Sequence, residues 1–188
     1  MVEKSEYANV SINPLRLSPP LGAILAFLGM EKTIAVLHGS QGCAAFTKTL
    51  LTRHFREPIP LQTTALRQEQ VIMESASSME ETLQALITKH EPQLIGLITT
   101  ALTETAGDDV DGMIRSFRST RPMAPPIVVV HASKYTGSLT KGYVTALNAM
   151  VDGLIVSDAD ERRTIDGKPV VNLVFGPNSS PGDVDDIK

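Results

Sequence analysis

Short apolar segments that alternate with helical patterns constrain the fold more than any other feature of this sequence. Residues 33–37, 94–100 and 127–130 are almost continuously apolar and too short to form helices, and residues 170–175 form a fourth run of this kind. Strands that are apolar on both faces are typical of parallel sheets covered by helices on both sides. We therefore predict an α/β fold with a doubly wound, mainly parallel sheet and helices on both faces.

Helical patterns fill the intervals between these strands. Pro19 and Pro20 precede the apolar run 21–28 and Gly29 follows it, which is the order expected at the start and end of a helix. Further helices are predicted over residues 43–55, 78–90, from Asp108 or Asp109 to 120, and 138–151. Ser78 and Glu81 form a capping-box pattern that predicts the start of the helix over 78–90. We predict a single domain over residues 1–188, with residues 1–18 as an extended N-terminal segment.

Composition excludes several classes of function. The net charge is -4 and the Lys and Arg residues are scattered, whereas general nucleic-acid binding needs a basic face. No apolar stretch approaches the roughly 18 residues that a membrane-spanning helix needs. The first residues carry no signal-peptide core, so the sequence predicts a cytoplasmic location.

The single cysteine lies in a glycine turn after the first predicted strand, in the sequence His38-Gly39-Ser40-Gln41-Gly42-Cys43. Two glycines allow a tight turn and close approach to a bulky inorganic group. Cys43 begins a predicted helix, where the helix dipole favours the thiolate needed by a metal ligand or nucleophile. A buried, inert cysteine at a tight turn is the alternative. One cysteine cannot hold an iron–sulfur cluster alone, since such clusters usually take about four protein ligands.

Other polar groups follow the predicted helices and strands. Arg53, His54 and Arg56, here called the basic cluster, end the helix after Cys43 and form either a docking surface or a solvated helix end. Hydroxyls and carboxylates crowd residues 99–109, as a site or as helix caps. His131 follows the third strand, but no spacing indicates a zinc site or a hydrolytic triad. The loops 38–43, 100–109 and 131–138 follow strand ends, where ligands bind in such folds.

These segments, in this order, resemble the nitrogenase component 1 family. The resemblance is carried by residues 13–23, 38–43, 53–57 and 61–64, and it continues through Thr99-Thr100, Gly107-Asp108-Asp109, His131, Gly137-Ser138, Asn172 and residues 181–183. It implies a Rossmann-like domain. Because family chains are several hundred residues long with three similar domains, the resemblance covers the first domain only and implies a truncated chain, or a split or degenerate gene.

The resemblance also separates two branches of the family. The β-chain of the catalytic molybdenum–iron protein carries three cysteines for its P-cluster; one matches Cys43, and the other two fall at Ser18 and Ala101. A serine that ligates the oxidised P-cluster falls near Lys134. The sequence is instead similar to the branch that finishes the iron–molybdenum cofactor. In that branch one cysteine joins an interface [4Fe-4S] cluster, and a NifE-type chain supplies three.

The resemblance implies roles for the turn. Cys43 would ligate iron, Gly39 and Gly42 would give the cluster room, and Ser40 and Gln41 would offer hydrogen bonds to its sulfur atoms. It further implies a heterotetramer with the NifE-type chain, docking of the nitrogenase iron protein, and no catalytic residue in this chain. No cofactor is expected on the isolated chain. The alternatives are a β-type subunit of a nitrogenase or of a related reductase, such as dark-operative protochlorophyllide reductase, and a remnant domain that binds no metal.

Overall fold

The computed structural model describes residues 18–73, 75–132, 137–155, 164–165, 168–169 and 186. The N-terminal residues 1–17, the predicted strand 170–175 and Lys134 lie outside the described residues. In chain order the described residues form α1 (Pro19–Leu28), β1 (Thr33–His38), α2 (Gln41–His54), β2 (Leu61–Thr63), α3 (Gln68–Met73), α4 (Ser75–His90), β3 (Leu94–Thr99), α5 (Ala101–Ala106), α6 (Val110–Thr120), β4 (Ile127–Val130), α7 (Leu139–Leu154), β5 (Thr164–Ile165) and β6 (Lys168–Pro169). Within this described part, every helix is too short or too polar to cross a membrane.

Four strands form a parallel sheet in the order β2-β1-β3-β4. The central pair is in register from Thr33 opposite Leu94 to His38 opposite Thr99. The chain moves from β1 outward to β2, then crosses back to place β3 on the other side of β1. The strand order therefore reverses between β1 and β3, and such a switch point opens a crevice at the carboxyl ends of the strands.

Alternate strand residues face two separate apolar cores. Ala35, Leu37, Ile98, Val128 and Val130 belong to the core that also contains residues of α1, α2 and α7. Ile34, Val36, Ile95, Leu97 and Ile127 belong to the core that contains residues of α4 and α6. Both faces of the sheet are thus covered by helices, which confirms the predicted α/β fold.

Several element boundaries differ from the sequence-based predictions. The helix predicted from Ser78 begins at Ser75, so Ser78 lies inside α4 and its predicted role as the cap is wrong. Asp109 does cap α6, because its carboxylate accepts a hydrogen bond from the Gly112 N–H at 2.9 Å. Ser138 likewise caps α7 by accepting from the Lys141 N–H at 3.3 Å. The elements β2, α3 and α5 are not predicted, because they span only three to six residues.

Two glycines allow α1 and α7 to pack with their backbones in contact. A Cβ atom added at Gly142 would overlap the backbone of Pro19, and one added at Gly22 would overlap the backbone of Leu139. Gly153, also in α7, has ordinary space: among the described residues, an added Cβ would meet only Val128 Cγ2, at 3.5 Å. The position of α7 on the sheet therefore depends on Gly142 and Gly22.

We predict that Gly142→Ala lowers the free energy of unfolding by about 2 kcal/mol or more, because the added methyl group forces the two helices apart. The matched control is Gly153→Ala in the same helix, which should leave stability unchanged or raise it by up to about 1 kcal/mol through helix propensity. Urea unfolding followed by circular dichroism measures both values. Equal effects of the two substitutions would show that the close contact between α1 and α7 does not govern stability.

Candidate functional site

Polar side chains from four segments meet at the switch point of the sheet. His38 ends β1, Thr64 follows β2, Thr100 and Thr103 lie at the start of α5, and Asp108 precedes α6. The first four residues are buried, and the side chain of Asp108 is also almost fully buried. We call these five residues the switch-point cluster. It occupies the crevice in which doubly wound folds commonly bind ligands.

The imidazole of His38 lies between a hydroxyl and a carboxylate. Its Nδ1 is 3.2 Å from Thr64 Oγ1, and its Nε2 is 3.3 Å from Asp108 Oδ2. The hydroxyl of Ser75, at the start of α4, donates to the other carboxylate oxygen of Asp108 at 3.0 Å. Nε2 and Oδ2 face each other outside hydrogen-bonding geometry, and both are buried without a hydrogen-bond partner among the described residues.

Burial determines the charge state of His38. Desolvation lowers the pKa of His38 below its usual value of 6.5, and the charge of the nearby Asp108 opposes this effect only partly. The ring is therefore neutral at neutral pH. A neutral ring with its proton on Nε2 presents that N–H to Asp108 and leaves Nδ1 to accept from the Thr64 hydroxyl.

The backbone of His38 and Gly39 is held from both neighbouring strands. From the β3 side, the carbonyl of His38 accepts hydrogen bonds from the hydroxyls of Thr100 at 2.9 Å and Thr103 at 3.2 Å. From the β2 side, the Gly39 N–H donates to Thr64 Oγ1 at 3.0 Å, and the Gly39 carbonyl accepts from the Leu66 N–H at 2.9 Å. The start of the turn that leads to Cys43 is thus fixed on two sides.

The two glycines of the turn have different surroundings. A Cβ atom added at Gly39 would overlap the hydroxyl of Thr100, so this glycine allows the end of β3 to approach β1. Thr100 fills the space on this side of Gly39, and the role of Gly39 in giving a cluster room stays a prediction. A Cβ atom added at Gly42 would meet no described residue within 4 Å. Among the described residues, the space beside Gly42, next to Cys43, is therefore open.

Cys43 lies in the first turn of α2, which begins at Gln41 rather than at the predicted Cys43. It is a free cysteine of intermediate exposure and packs partly against the core on the α1 and α7 side. The Ser40 hydroxyl points to its sulfur with an Oγ–Sγ distance of 3.6 Å. Among the described residues, no group of three or more His, Cys, Asp or Glu side chains could hold a metal ion.

The basic cluster lies at the opposite end of α2. Arg53, His54 and Arg56 are exposed and line a shallow groove with Lys48, Thr52, Phe55, Glu57, Pro58 and Ile59. The ring of His54 packs edge-on against the buried Phe55, with the ring centroids 4.6 Å apart. Arg53 lies ten positions after Cys43, about 15 Å along a helix axis. The two predicted features therefore lie on one helix but at separate places.

The structure does not bring every predicted polar residue into the switch-point cluster. His131 is exposed, and its Nε2 lies 3.0 Å from Asp111 Oδ2 in a surface pair. Thr64 belongs to the switch-point cluster and Ser75 contacts it through Asp108, but the sequence alone assigns neither residue a role. Thr64 follows a strand too short to predict, and Ser75 meets Asp108 across 33 residues of sequence. The available signal for Thr64 is that a hydroxyl residue follows a strand end, whereas Ser75 begins a helix and carries no such signal.

Comparison with known proteins agrees with this architecture. The family model described as nitrogenase component 1 type oxidoreductase matches residues 18–188. A protein named nitrogenase iron-molybdenum cofactor biosynthesis protein NifN, from Rippkaea orientalis, is 40% identical over 184 residues, which are 95% of this chain and 40% of that protein. The protein of the same name from a Nostoc species is 39% identical over 182 residues, which are 96% of this chain and 40% of that protein.

Solved structures support the same relationship. The structure titled nitrogenase Cp1 at pH 6.5 superimposes with a TM-score of 0.75 and 26% sequence identity, over 86% of this chain and 35% of that one. The chain thus spans about two fifths of the length of the NifN relatives it matches. A family match over residues 18–188 and the shared α/β architecture lead to one conclusion: the chain belongs to the nitrogenase component 1 type oxidoreductase family.

Proposed function

We propose that this chain is a NifN-type scaffold subunit for maturation of the nitrogenase iron–molybdenum cofactor. The observation that carries the proposal is the single Cys43, placed in the first turn of α2 in a chain about 40% identical to relatives of that name. The Ser18 and Ala101 positions, where the resembling β-chain carries further cysteines, hold a hydroxyl and a methyl group. A P-cluster half-site therefore lacks two of its thiolates.

The ligand count supports a cluster that is shared between chains. A [4Fe-4S] cluster is usually held by about four cysteine thiolates. This chain contains one cysteine, so the other three would come from a partner, which we propose to be a NifE-type chain in a heterotetramer. When bound, the cluster would supply redox chemistry at the boundary between the two chains.

The surface around Cys43 suits coverage by a partner. Phe46, one turn further along α2, is 58% exposed, and large exposed aromatic side chains are more frequent in protein interfaces than elsewhere on a surface. No described residue fills the space beside Gly42. The Ser40 hydroxyl already lies near the sulfur of Cys43, where a hydrogen bond to a ligating sulfur would raise the reduction potential of a cluster. In this proposal Gln41 offers a second hydrogen-bonding group at the same turn.

The nitrogenase iron protein completes the proposed assembly. It would dock near the shared cluster and deliver molybdenum and homocitrate to a cofactor precursor held by the partner chain. In this scheme the chain described here positions one iron ligand and one docking surface, and it supplies no acid, base or nucleophile. A β-type catalytic subunit is the second candidate, because the nitrogenase Cp1 structure shares the fold.

We predict that Cys43→Ala removes most of the iron bound by the complex, because the cluster loses its one ligand from this chain. The chain is co-expressed anaerobically with a NifE-type partner, and iron content and the [4Fe-4S] EPR signal are measured. Thr49→Ala, an exposed substitution on the same helix outside the groove of the basic cluster, is the matched control and should keep both the iron and the signal. If Cys43→Ala retains the same iron and the same signal, Cys43 is a structural cysteine and the proposed function is wrong.

We also predict that reversing the charge of the basic cluster weakens binding to the NifE-type partner. The double substitution Arg53→Glu and Arg56→Glu should raise the Kd about 10-fold or more, and the loss should shrink at high salt because exposed charges are screened. The double substitution Lys89→Glu and Arg115→Glu, at exposed side chains of α4 and α6, is the charge-matched control and should not weaken binding. If the control and the basic-cluster variant bind the partner with equal affinity, the basic cluster is a solvated helix end and not a docking surface.

A further inference from the structure

We propose that His38 and Asp108 are a positioning pair that holds the turn presenting Cys43. The identification of Cys43 as an iron ligand rests on the proposed function, whereas the positioning itself is a property of this chain. Neither residue would touch the cluster. Both would act through the backbone between β1 and α2.

The connection from His38 to Cys43 is short and has little freedom. Only Gly39 and Ser40 separate the end of β1 from the start of α2 at Gln41. The carbonyls of His38 and Gly39 both accept hydrogen bonds from neighbouring segments. A rotation of the backbone at His38 would therefore move Gly39 and Ser40, and with them the first turn of α2, which carries Cys43.

The side chain of His38 joins segments that are distant in sequence. It contacts Thr64 after β2 through Nδ1 and Asp108 before α6 through Nε2. Asp108 in turn accepts from Ser75 at the start of α4. Removal of the ring would leave a buried carboxylate oxygen facing a cavity, and would remove the contact that orients Thr64 toward the Gly39 N–H. The pair therefore links three other elements to the turn.

The pair also differs from an ordinary buried ion pair. Nε2 and Oδ2 are 3.3 Å apart, yet each is buried without a hydrogen-bond partner among the described residues. The charge of Asp108 acts on the His38 ring. The Thr64 hydroxyl contacts the same ring, and the hydroxyls of Thr100 and Thr103 contact the backbone carbonyl of His38. Protonation of the ring would add a second N–H donor and turn this contact into an ion pair. Protonation of His38 should therefore change the position of the turn between β1 and α2.

We predict that the free energy of unfolding decreases as the pH falls below neutrality, and that His38→Gln removes part of this decrease. The unfolded chain binds a proton at His38 near the usual pKa of 6.5, whereas burial lowers the pKa of the folded ring. Below pH 6.5 the unfolded state thus holds more protons, and stability is lost as the pH falls toward the folded pKa. Urea unfolding at a series of pH values measures this, with His131→Gln as the control at an exposed histidine.

The positioning pair is tested through the chemistry of the single cysteine. Because Cys43 is the only thiol, the rate of its alkylation by iodoacetamide reports its surroundings in the chain without any cluster. We expect His38→Gln and Asp108→Asn each to change the rate about 5-fold or more, which is of the order of the 1 kcal/mol that a single buried polar contact contributes. The pH dependence of the rate should shift as well.

The chain offers matched controls for both substitutions. His131 and Asp111 form a second His–Asp pair, at 3.0 Å on the surface, so His131→Gln and Asp111→Asn should leave the rate unchanged. Thr64→Val removes the hydroxyl that joins His38 to Gly39 and should act like His38→Gln, whereas Thr64→Ser should restore the original rate. Circular dichroism spectra confirm that each variant is folded. If His38→Gln does not fold, the nearly isosteric Asp108→Asn and Thr64→Val replace it in the alkylation test.

Two outcomes separate this inference from the proposed function. If alkylation of folded Asp108→Asn and Thr64→Val proceeds at the original rate with the original pH profile, the positioning pair is wrong, even when Cys43→Ala loses the cluster. If alkylation changes as expected while Cys43→Ala keeps its iron, the positioning pair stands and Cys43 is not the iron ligand. The double variant His38→Gln with Asp108→Asn should have no larger effect than the stronger single variant, because the two residues act as one unit.

Discussion

The close approach of β1 and β3 at their carboxyl ends is the constraint on which the remaining structure depends. Thr100 occupies the space beside Gly39 and donates a hydrogen bond to the carbonyl of His38. Any side chain at position 39 would force the two strands apart at the place where the strand order reverses. Both apolar cores are built on these central strands, so this contact aligns the helices of both faces as well as the turn that leads to Cys43.

The two faces of the sheet hold their helices in different ways. On one face, the glycines of α1 and α7 allow direct backbone contact, and the adjacent Phe27 packs against the open side of Gly96 in β3. On the same face α2 is held by few buried residues, namely Ala44, Thr47 and Leu51. Most of α2 is therefore exposed. A helix anchored on one narrow side can present its remaining surface, including Cys43 and Phe46, to another chain.

Sequence patterns could predict the sheet because burial on both faces leaves a continuous apolar run. They could predict that Asp108 or Asp109 caps α6, because a cap acts within three residues of its own position. The same pattern at Ser78 gave a wrong prediction, because α4 starts one turn earlier, at Ser75. The hydroxyl of Ser75 donates a hydrogen bond to Asp108. The contacts of His38 with Thr64 and Asp108 join residues 26 or more positions apart. Such contacts follow from strand order, which a local pattern does not contain.

A chain that supplies one of about four thiolates to a shared cluster contributes the position of that ligand more than the affinity for the cluster. In the proposed scaffold the partner fixes three ligands, so an error in the position of Cys43 cannot be corrected by other ligands of this chain. Rigid placement from buried neighbours lowers the cost of forming such a site. The switch-point cluster meets this need with hydroxyls and a neutral histidine, so only Asp108 carries charge into the interior. The expense of burying a second charge is thereby avoided, and the same neutral ring makes the turn responsive to protonation.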